Sequence, residues 1–125
     1  MSSTLIPRLV ALSLACAAFA AQAGEVRVTC EKRATRSKAS VDGSDFAPGQ
    51  YRAVLRSGTR SARSGWQPAD GDEAQFDFDS RPADIAEGAT AIAGDFIVDG
   101  RVKAYIVDAS GVRVTPVATA ICRVR

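Results

Sequence analysis

The sequence predicts an all-β fold, an antiparallel β-sandwich of about seven or eight short strands between residues 24 and 125. Apolar and polar residues alternate with a period of two through most of this region. Gly, Pro, Asp and Ser interrupt the alternation about every 8–12 residues, as turns between short strands do. No segment after residue 23 shows the 3.6-residue period of an amphipathic helix.

Residues 1–23 predict a cleaved secretory signal peptide, which leaves residues 24–125 as a single domain. The segment begins with a short region that carries Arg8, continues with an apolar run over 9–19, and ends in Ala21-Gln22-Ala23. Small residues in that last pattern are what signal peptidase cleaves after. The apolar run is too short to cross a bilayer, which takes about 20 residues. We therefore expect a periplasmic or secreted protein with no membrane span.

The alternative is a lipoprotein signal in which Cys16 is lipidated. Ala15 before it is small, as such a signal requires. Ser13 stands where a leucine is usual, and residues 17–21 stay apolar where a polar tether is usual. These departures favour the cleaved signal.

Cys30 and Cys122 lie near the two ends of the remaining chain and predict a structural disulfide. An exported protein meets an oxidising compartment, in which such a pair forms and persists. A redox pair or a thiolate metal site would need CxxC spacing or other soft ligands, and the chain has no histidine. We expect the bond to tie the first and last strands, either side by side or across the core.

The first half of the domain predicts three strands. Residues 25–30 place Val26, Val28 and Cys30 on one face. Residues 36–41 form a weaker strand that ends in the turn cluster 42–45. Residues 50–56 alternate cleanly, with Tyr51, Ala53 and Leu55 facing one way and Arg52, Val54 and Arg56 the other.

The middle of the domain predicts a long loop, one strand and an irregular segment. The loop covers 57–73. Residues 74–79 follow as a half-buried strand, with Phe76 and Phe78 in the core and Asp77 and Asp79 towards solvent. Residues 80–91 are irregular, with one helical turn near 84–87.

The last third predicts a strand over 92–98, a hairpin and the final strands. Asp99-Gly100 is a strong hairpin signal, because both central residues of a type I′ turn need positive φ. The remaining strands are predicted over 101–107, 112–114 and 118–124, with Pro116 marking a bulge or an edge.

The segment Pro48-Gly49-Gln50-Tyr51 resembles the tyrosine corner of immunoglobulin-like domains. In that motif a tyrosine near the start of a strand donates a hydrogen bond to the backbone a few residues upstream. The resemblance implies an immunoglobulin-like sandwich. It covers only these residues, and no cysteine follows Tyr51 by two positions as in antibody domains. It therefore carries no implication for function.

Charge is distributed in blocks although the whole chain carries a net charge of only +2. Residues 24–67 hold nine basic and four acidic side chains. Residues 68–99 hold one basic and nine acidic side chains, and residues 100–125 hold five basic and one acidic. The acidic block either pairs with its basic neighbours in the fold or forms an opposite face that could bind charged partners. Without histidine, Ser/His/Asp and Cys/His catalysis is excluded, so we expect no enzyme and no cofactor.

Two segments are candidate binding sites. The first is a candidate calcium site, because carboxylates are dense after residue 69 and calcium prefers oxygen ligands. The other interpretation of this acidic segment is a polar turn followed by a solvent-facing strand. The second is an anion candidate, since arginine binds phosphate or carboxylate bidentately and an aromatic residue anchors partners. Its alternative is a solvated loop with the tryptophan capping the core. The calcium candidate consists of Asp70, Asp72, Glu73, Asp77 and Asp79, and the anion candidate of Arg56, Arg60, Arg63 and Trp66.

These features predict a small binding or protein-interaction module of the bacterial cell envelope. Its partner would be an envelope or extracellular protein or an anionic surface component, recognised through loops or an exposed strand edge. Because the protein is expected outside the cytoplasm, we expect no nucleic-acid partner. The alternative is an inhibitor-like or purely structural periplasmic domain.

Overall fold

The computed structural model describes residues 24–125. The predicted signal peptide and Cys16 lie outside the described residues. Within this part of the chain, no helix has both the length and the apolar character needed to cross a membrane. In chain order the elements are β1 (Glu25–Arg33), β2 (Arg36–Ser44), β3 (Gln50–Ser57), β4 (Arg60–Arg63), β5 (Gln67–Pro68), β6 (Ala74–Asp79), α1 (Pro82–Ala86), β7 (Thr90–Ala91), β8 (Arg101–Asp108), β9 (Ala118–Ile121) and β10 (Arg123–Val124).

These strands form two sheets, which confirms the predicted all-β sandwich. The first sheet has the order β10-β1-β2-β6-β7, and the second has the order β4-β3-β8-β9 with β5 also paired to β3. All pairings are antiparallel except two short ones, β1 with β10 and β6 with β7. Three of the ten strands have only two residues, so the count exceeds the predicted seven or eight.

The core lies between the two sheets and is built from the apolar side of each alternation. Phe76 and Phe78 on β6 are fully buried, as predicted, and so are Leu55 on β3 and Ile106 on β8. Burial of such side chains is the main term that stabilises the fold, at about 1.5–3 kcal/mol each.

The last strand passes from one sheet to the other at Cys122. Before this residue β9 pairs with β8 in the second sheet, and after it β10 pairs with β1 in the first. Cys122 is buried, whereas its neighbour Ile121 is 81% exposed. The disulfide to Cys30 on β1 fixes this crossing point, with the two Cα atoms 4.6 Å apart. The prediction that a disulfide ties the first and last strands is confirmed.

Three predicted segments differ from the structure. The predicted strand over 112–114 is reduced to a single antiparallel bridge between Arg113 and Val107. The predicted loop over 57–73 contains β4 and β5, which pair with β3. The predicted strand over 92–98 is instead an irregular segment that covers one end of the core. Its backbone N–H groups at Ile97 and Val98 donate to the hydroxyls of Ser37 and Ser57, at 3.1 and 2.7 Å. Gly94 lies so close to the turn between β1 and β2 that a Cβ would stand 2.4 Å from the Thr35 carbonyl oxygen.

The two short turn motifs have the predicted geometry. Asp99 and Gly100 have φ of 56° and 63°, and an antiparallel bridge joins Val98 to Arg101 across them. The Tyr51 hydroxyl donates to the Ala47 carbonyl oxygen at 2.6 Å, the bond expected of a tyrosine corner. These turns agree with the predicted local geometry, but they do not confirm an immunoglobulin-like topology for the sandwich.

Candidate functional site

The outer surface of the second sheet is basic. Side chains alternate across a strand, so Arg52 and Arg56 on β3 face away from the core side of Leu55, and Lys103 and Tyr105 on β8 share that outer side. Arg63 on β4 lies opposite Val54 and therefore joins them. We call this surface the basic face; it consists of Arg52, Arg56, Arg63, Trp66, Arg101, Lys103, Tyr105 and Arg113.

The strand register places two cations of the basic face directly opposite each other. Arg56 on β3 is the partner of Lys103 on β8. Like charges in this position destabilise a sheet, because the two Cβ atoms are only about 4.5–5.5 Å apart. The pair is therefore not explained by the stability of the fold.

Aromatic rings hold three of the arginines in place. The Arg52 guanidinium lies 4.3 Å from the centre of the Trp66 ring, and its Nε donates to the Ser64 carbonyl oxygen at 3.0 Å. The guanidinium groups of Arg56 and Arg113 lie 5.6 and 5.9 Å from the centre of the Tyr105 ring. Arg56 also donates to the Tyr105 hydroxyl at 3.2 Å. These contacts orient the cations without neutralising them.

No carboxylate balances these charges within residues 24–125. The ion pairs of this region involve other basic residues, and none of the six cations of the basic face takes part in one. The strands of the second sheet contain one acidic residue, Asp108. Its carboxylate accepts from the backbone N–H groups of Ser110 and Val112 and closes the turn there.

Two adjoining hollows lie on the basic face. The smaller has a volume of about 210 Å³ and is bordered by Arg52, Arg63 and Trp66. The larger has a volume of about 650 Å³ and is bordered by Lys103, Arg113 and Val112. Both are also lined by Arg56, Tyr105, Val107 and Gly111, and of these shared residues Arg56 and Tyr105 carry the polar groups at the boundary between the hollows. We call them the Trp66 hollow and the Val112 hollow.

The structure brings together three of the four predicted anion-binding residues, Arg56, Arg63 and Trp66. The fourth, Arg60, lies on the opposite side of β4 together with Ala62, which packs against the core. Its guanidinium binds the Asp95 carboxylate at 2.7 and 3.3 Å. This hydrogen bond holds the pKa of Asp95 below its usual value.

Sequence reasoning missed the other members of the basic face. Arg52 could have been included, because the alternation of β3 already placed it on the same side as Arg56. Arg101, Lys103 and Tyr105 gave no such signal, since only the pairing of β3 with β8 brings β8 next to Arg56. Arg113 is placed beside them by its bridge to Val107 on β8.

Similarity to known proteins gives no further guide to this site. No protein-family model, curated protein or solved structure matches the chain.

The acidic segment is divided between a turn and a strand. Asp70 and Glu73 close the turn through two backbone hydrogen bonds of 2.7 and 3.1 Å, with Asp72 between them. Asp77 accepts from the Ser40 hydroxyl at 2.8 Å on the outer side of the first sheet. Among residues 24–125, no three metal-ligating side chains lie close enough together to hold an ion. Calcium binding stays a prediction from sequence.

Asp79, expected on a solvent-facing side, is only 2% exposed. Its carboxylate binds the Arg36 guanidinium at 3.0 and 2.7 Å and accepts from the backbone N–H of Arg81 at 3.0 Å. Burial alone would raise the pKa of Asp79, but the bonds from Arg36 and Arg81 outweigh it and lower this pKa. Asp84 on α1 adds a second contact to Arg36 at 3.3 Å. Asp79 therefore anchors the α1 segment to β2.

Proposed function

We propose that the chain is a small exported binding module that recognises an anionic partner through the basic face. One observation carries the proposal: six cations share the outer side of a single sheet, and none has a carboxylate partner within the described residues. The chain has fourteen acidic residues, so the absence of partners on this face does not follow from composition.

The chemistry of the face supports binding of an anion. Five of its six cations are arginines, whose planar guanidinium groups form paired hydrogen bonds with phosphate, sulfate or carboxylate. Stacking on Trp66 and Tyr105 limits their motion, which lowers the entropy lost on binding. A bound anion would also offset the repulsion between Arg56 and Lys103.

The disulfide supports the predicted compartment. A bond between Cys30 and Cys122 persists in an oxidising environment such as the periplasm or the cell exterior. The anionic partners of that environment are envelope or extracellular components rather than cellular nucleic acid. The proposal assigns the face a binding role and no catalysis.

Retention on phosphocellulose tests the proposal with two variants that lose the same charge. Arg52→Ser/Arg63→Ser removes two cations from the basic face, whereas Arg27→Ser/Arg123→Ser removes two from strands of the first sheet. We expect the first variant to elute at clearly lower salt than the second, because salt competes with the clustered contacts. Circular dichroism establishes that both are folded. Equal elution would show that retention follows net charge alone and would refute the proposal.

A further inference from the structure

Resting on the proposed function, we propose that the anionic partner is a linear anionic polysaccharide that lies across the Trp66 hollow and the Val112 hollow. Arg56 and Tyr105 carry the polar groups at the boundary between the hollows. A chain that crosses it brings consecutive anionic groups to the two sides of Arg56.

The cations are distributed over both hollows, an arrangement that suits a partner with more than one anionic group. In the Trp66 hollow, Arg52 and Arg63 accompany Arg56, and in the Val112 hollow Lys103 and Arg113 accompany it. Arg63 and Lys103 lie on the two strands that flank β3, hence roughly 10 Å apart across the sheet. A chain with repeated anionic substituents can contact Arg63 and Lys103 at once, each through a different substituent.

The apolar walls of the hollows fit sugar rings between those substituents. Trp66 is 43% exposed in one hollow, and Val112 and Val117 are 47% and 43% exposed in the other. Sugars present C–H faces that pack on aromatic and aliphatic side chains, while their carboxylate or sulfate groups bind arginine. An inorganic anion would leave these apolar side chains uncovered.

The same surface is less suited to a bilayer or to an added protein strand. A bilayer-binding surface needs exposed apolar side chains that can enter the lipid. The most exposed apolar residues, Ile121 and Val124 at 81% and 73%, line neither hollow. β3 and β8 are hydrogen-bonded on both sides, so neither offers a free edge in the centre of the face.

Binding can be followed directly, because Trp66 is the only tryptophan of the chain and borders one hollow. The probes are galacturonate oligosaccharides of two and six units, a neutral oligosaccharide of six units, a hexaglutamate peptide and phosphatidylglycerol vesicles. We expect the six-unit galacturonate to change Trp66 fluorescence and to bind at least tenfold more tightly than the two-unit form. It should also bind at least tenfold more tightly than each of the other probes.

A variant of the Val112 hollow tests whether both hollows are used. Lys103→Ala/Arg113→Ala should abolish the advantage of six units over two, whereas Arg27→Ala/Arg123→Ala should keep it. Tighter binding of the peptide or the vesicles, or no effect of length, would overturn the polysaccharide assignment and leave the anion-binding proposal standing. Loss of selective retention on phosphocellulose would instead overturn the proposed function, and this inference with it.

Discussion

Replacing both cysteines, Cys30→Ala/Cys122→Ala, is expected to lower the free energy of unfolding by about 4–5 kcal/mol. The bond joins residues 92 positions apart, so it closes a loop of nearly the whole described chain. In the chain-entropy model such a loop restricts the unfolded chain by about 4.6 kcal/mol at 25 °C. Stabilities of small domains are about 5–15 kcal/mol, so the variant should be close to the limit of folding.

Most of this effect should arise in the unfolded state. The backbone pairing of the last residues with β1 is short, since β10 pairs with β1 only at Glu31 and Lys32, and the backbone N–H of Arg125 donates to the Lys32 carbonyl oxygen at 3.0 Å. Cys122 keeps its backbone bond to the Gly100 carbonyl oxygen, at 2.7 Å, without the disulfide. Without the cross-link the denatured chain is more expanded and exposes more surface, so the urea m-value should rise as the midpoint falls.

Urea denaturation of the oxidised protein and the variant, followed by circular dichroism and Trp66 fluorescence, measures both quantities. The oxidised protein treated with a reductant serves as a control for packing changes at the two alanines. Equal midpoints for the oxidised, reduced and variant proteins would refute the loop-entropy reasoning. A fall in stability with an unchanged m-value would place the effect in the native state instead.

Two further substitutions test the buried polar contacts. Tyr51→Phe removes the bond to the Ala47 carbonyl but keeps the ring stacked on Phe46 at 4.5 Å, and should lower stability by about 1–3 kcal/mol at unchanged m-value. An unchanged urea midpoint would show that the hydrogen bond from Tyr51 to Ala47 does not stabilise the fold. Asp79→Asn should lower stability at pH 7 by about 3 kcal/mol, because Arg36 loses its main partner. Since the folded pKa of Asp79 is lowered, its contribution is complete above the unfolded pKa of about 3.9 and is lost as pH falls through the folded value. The variant should therefore show a weaker loss of stability below about pH 4, and a parallel pH profile would contradict this account.

Alternation predicted strands well where one face is fully buried and failed where it is not. β6 covers residues 74–79 as expected, because Phe76 and Phe78 alternate with polar residues. β4 went unrecognised because its residues are mostly exposed at the sheet edge, which leaves no apolar pattern. The opposite error occurred over 92–98, where buried Ile92, Phe96 and Ile97 indicated a strand. Apolar residues indicate burial, whereas a strand also needs a neighbouring strand for its backbone hydrogen bonds. Here the backbone N–H groups of Ile97 and Val98 donate to serine hydroxyls instead.

Only part of the basic face could be predicted from the sequence, for a similar reason. The period of two reveals which residues of one strand share a side, and this places Arg52 with Arg56. It does not reveal which strands are neighbours or in which register they pair. The opposition of Arg56 and Lys103 depends on both, since these residues are 47 positions apart in the chain.

The charge blocks of the sequence explain how the basic face arises. Acidic residues of the middle block pair with cations that point away from the basic face, as Asp79 does with Arg36 and Asp95 with Arg60. The arginines of β3 and β4 then meet the cations of β8, which come from the last basic block. Ion pairs therefore neutralise arginines elsewhere in the described residues, whereas the six cations of the basic face form none. Since uncompensated like charges oppose folding, the stability of the sandwich does not account for their clustering on a single face, and this is the physical basis of the proposed binding role.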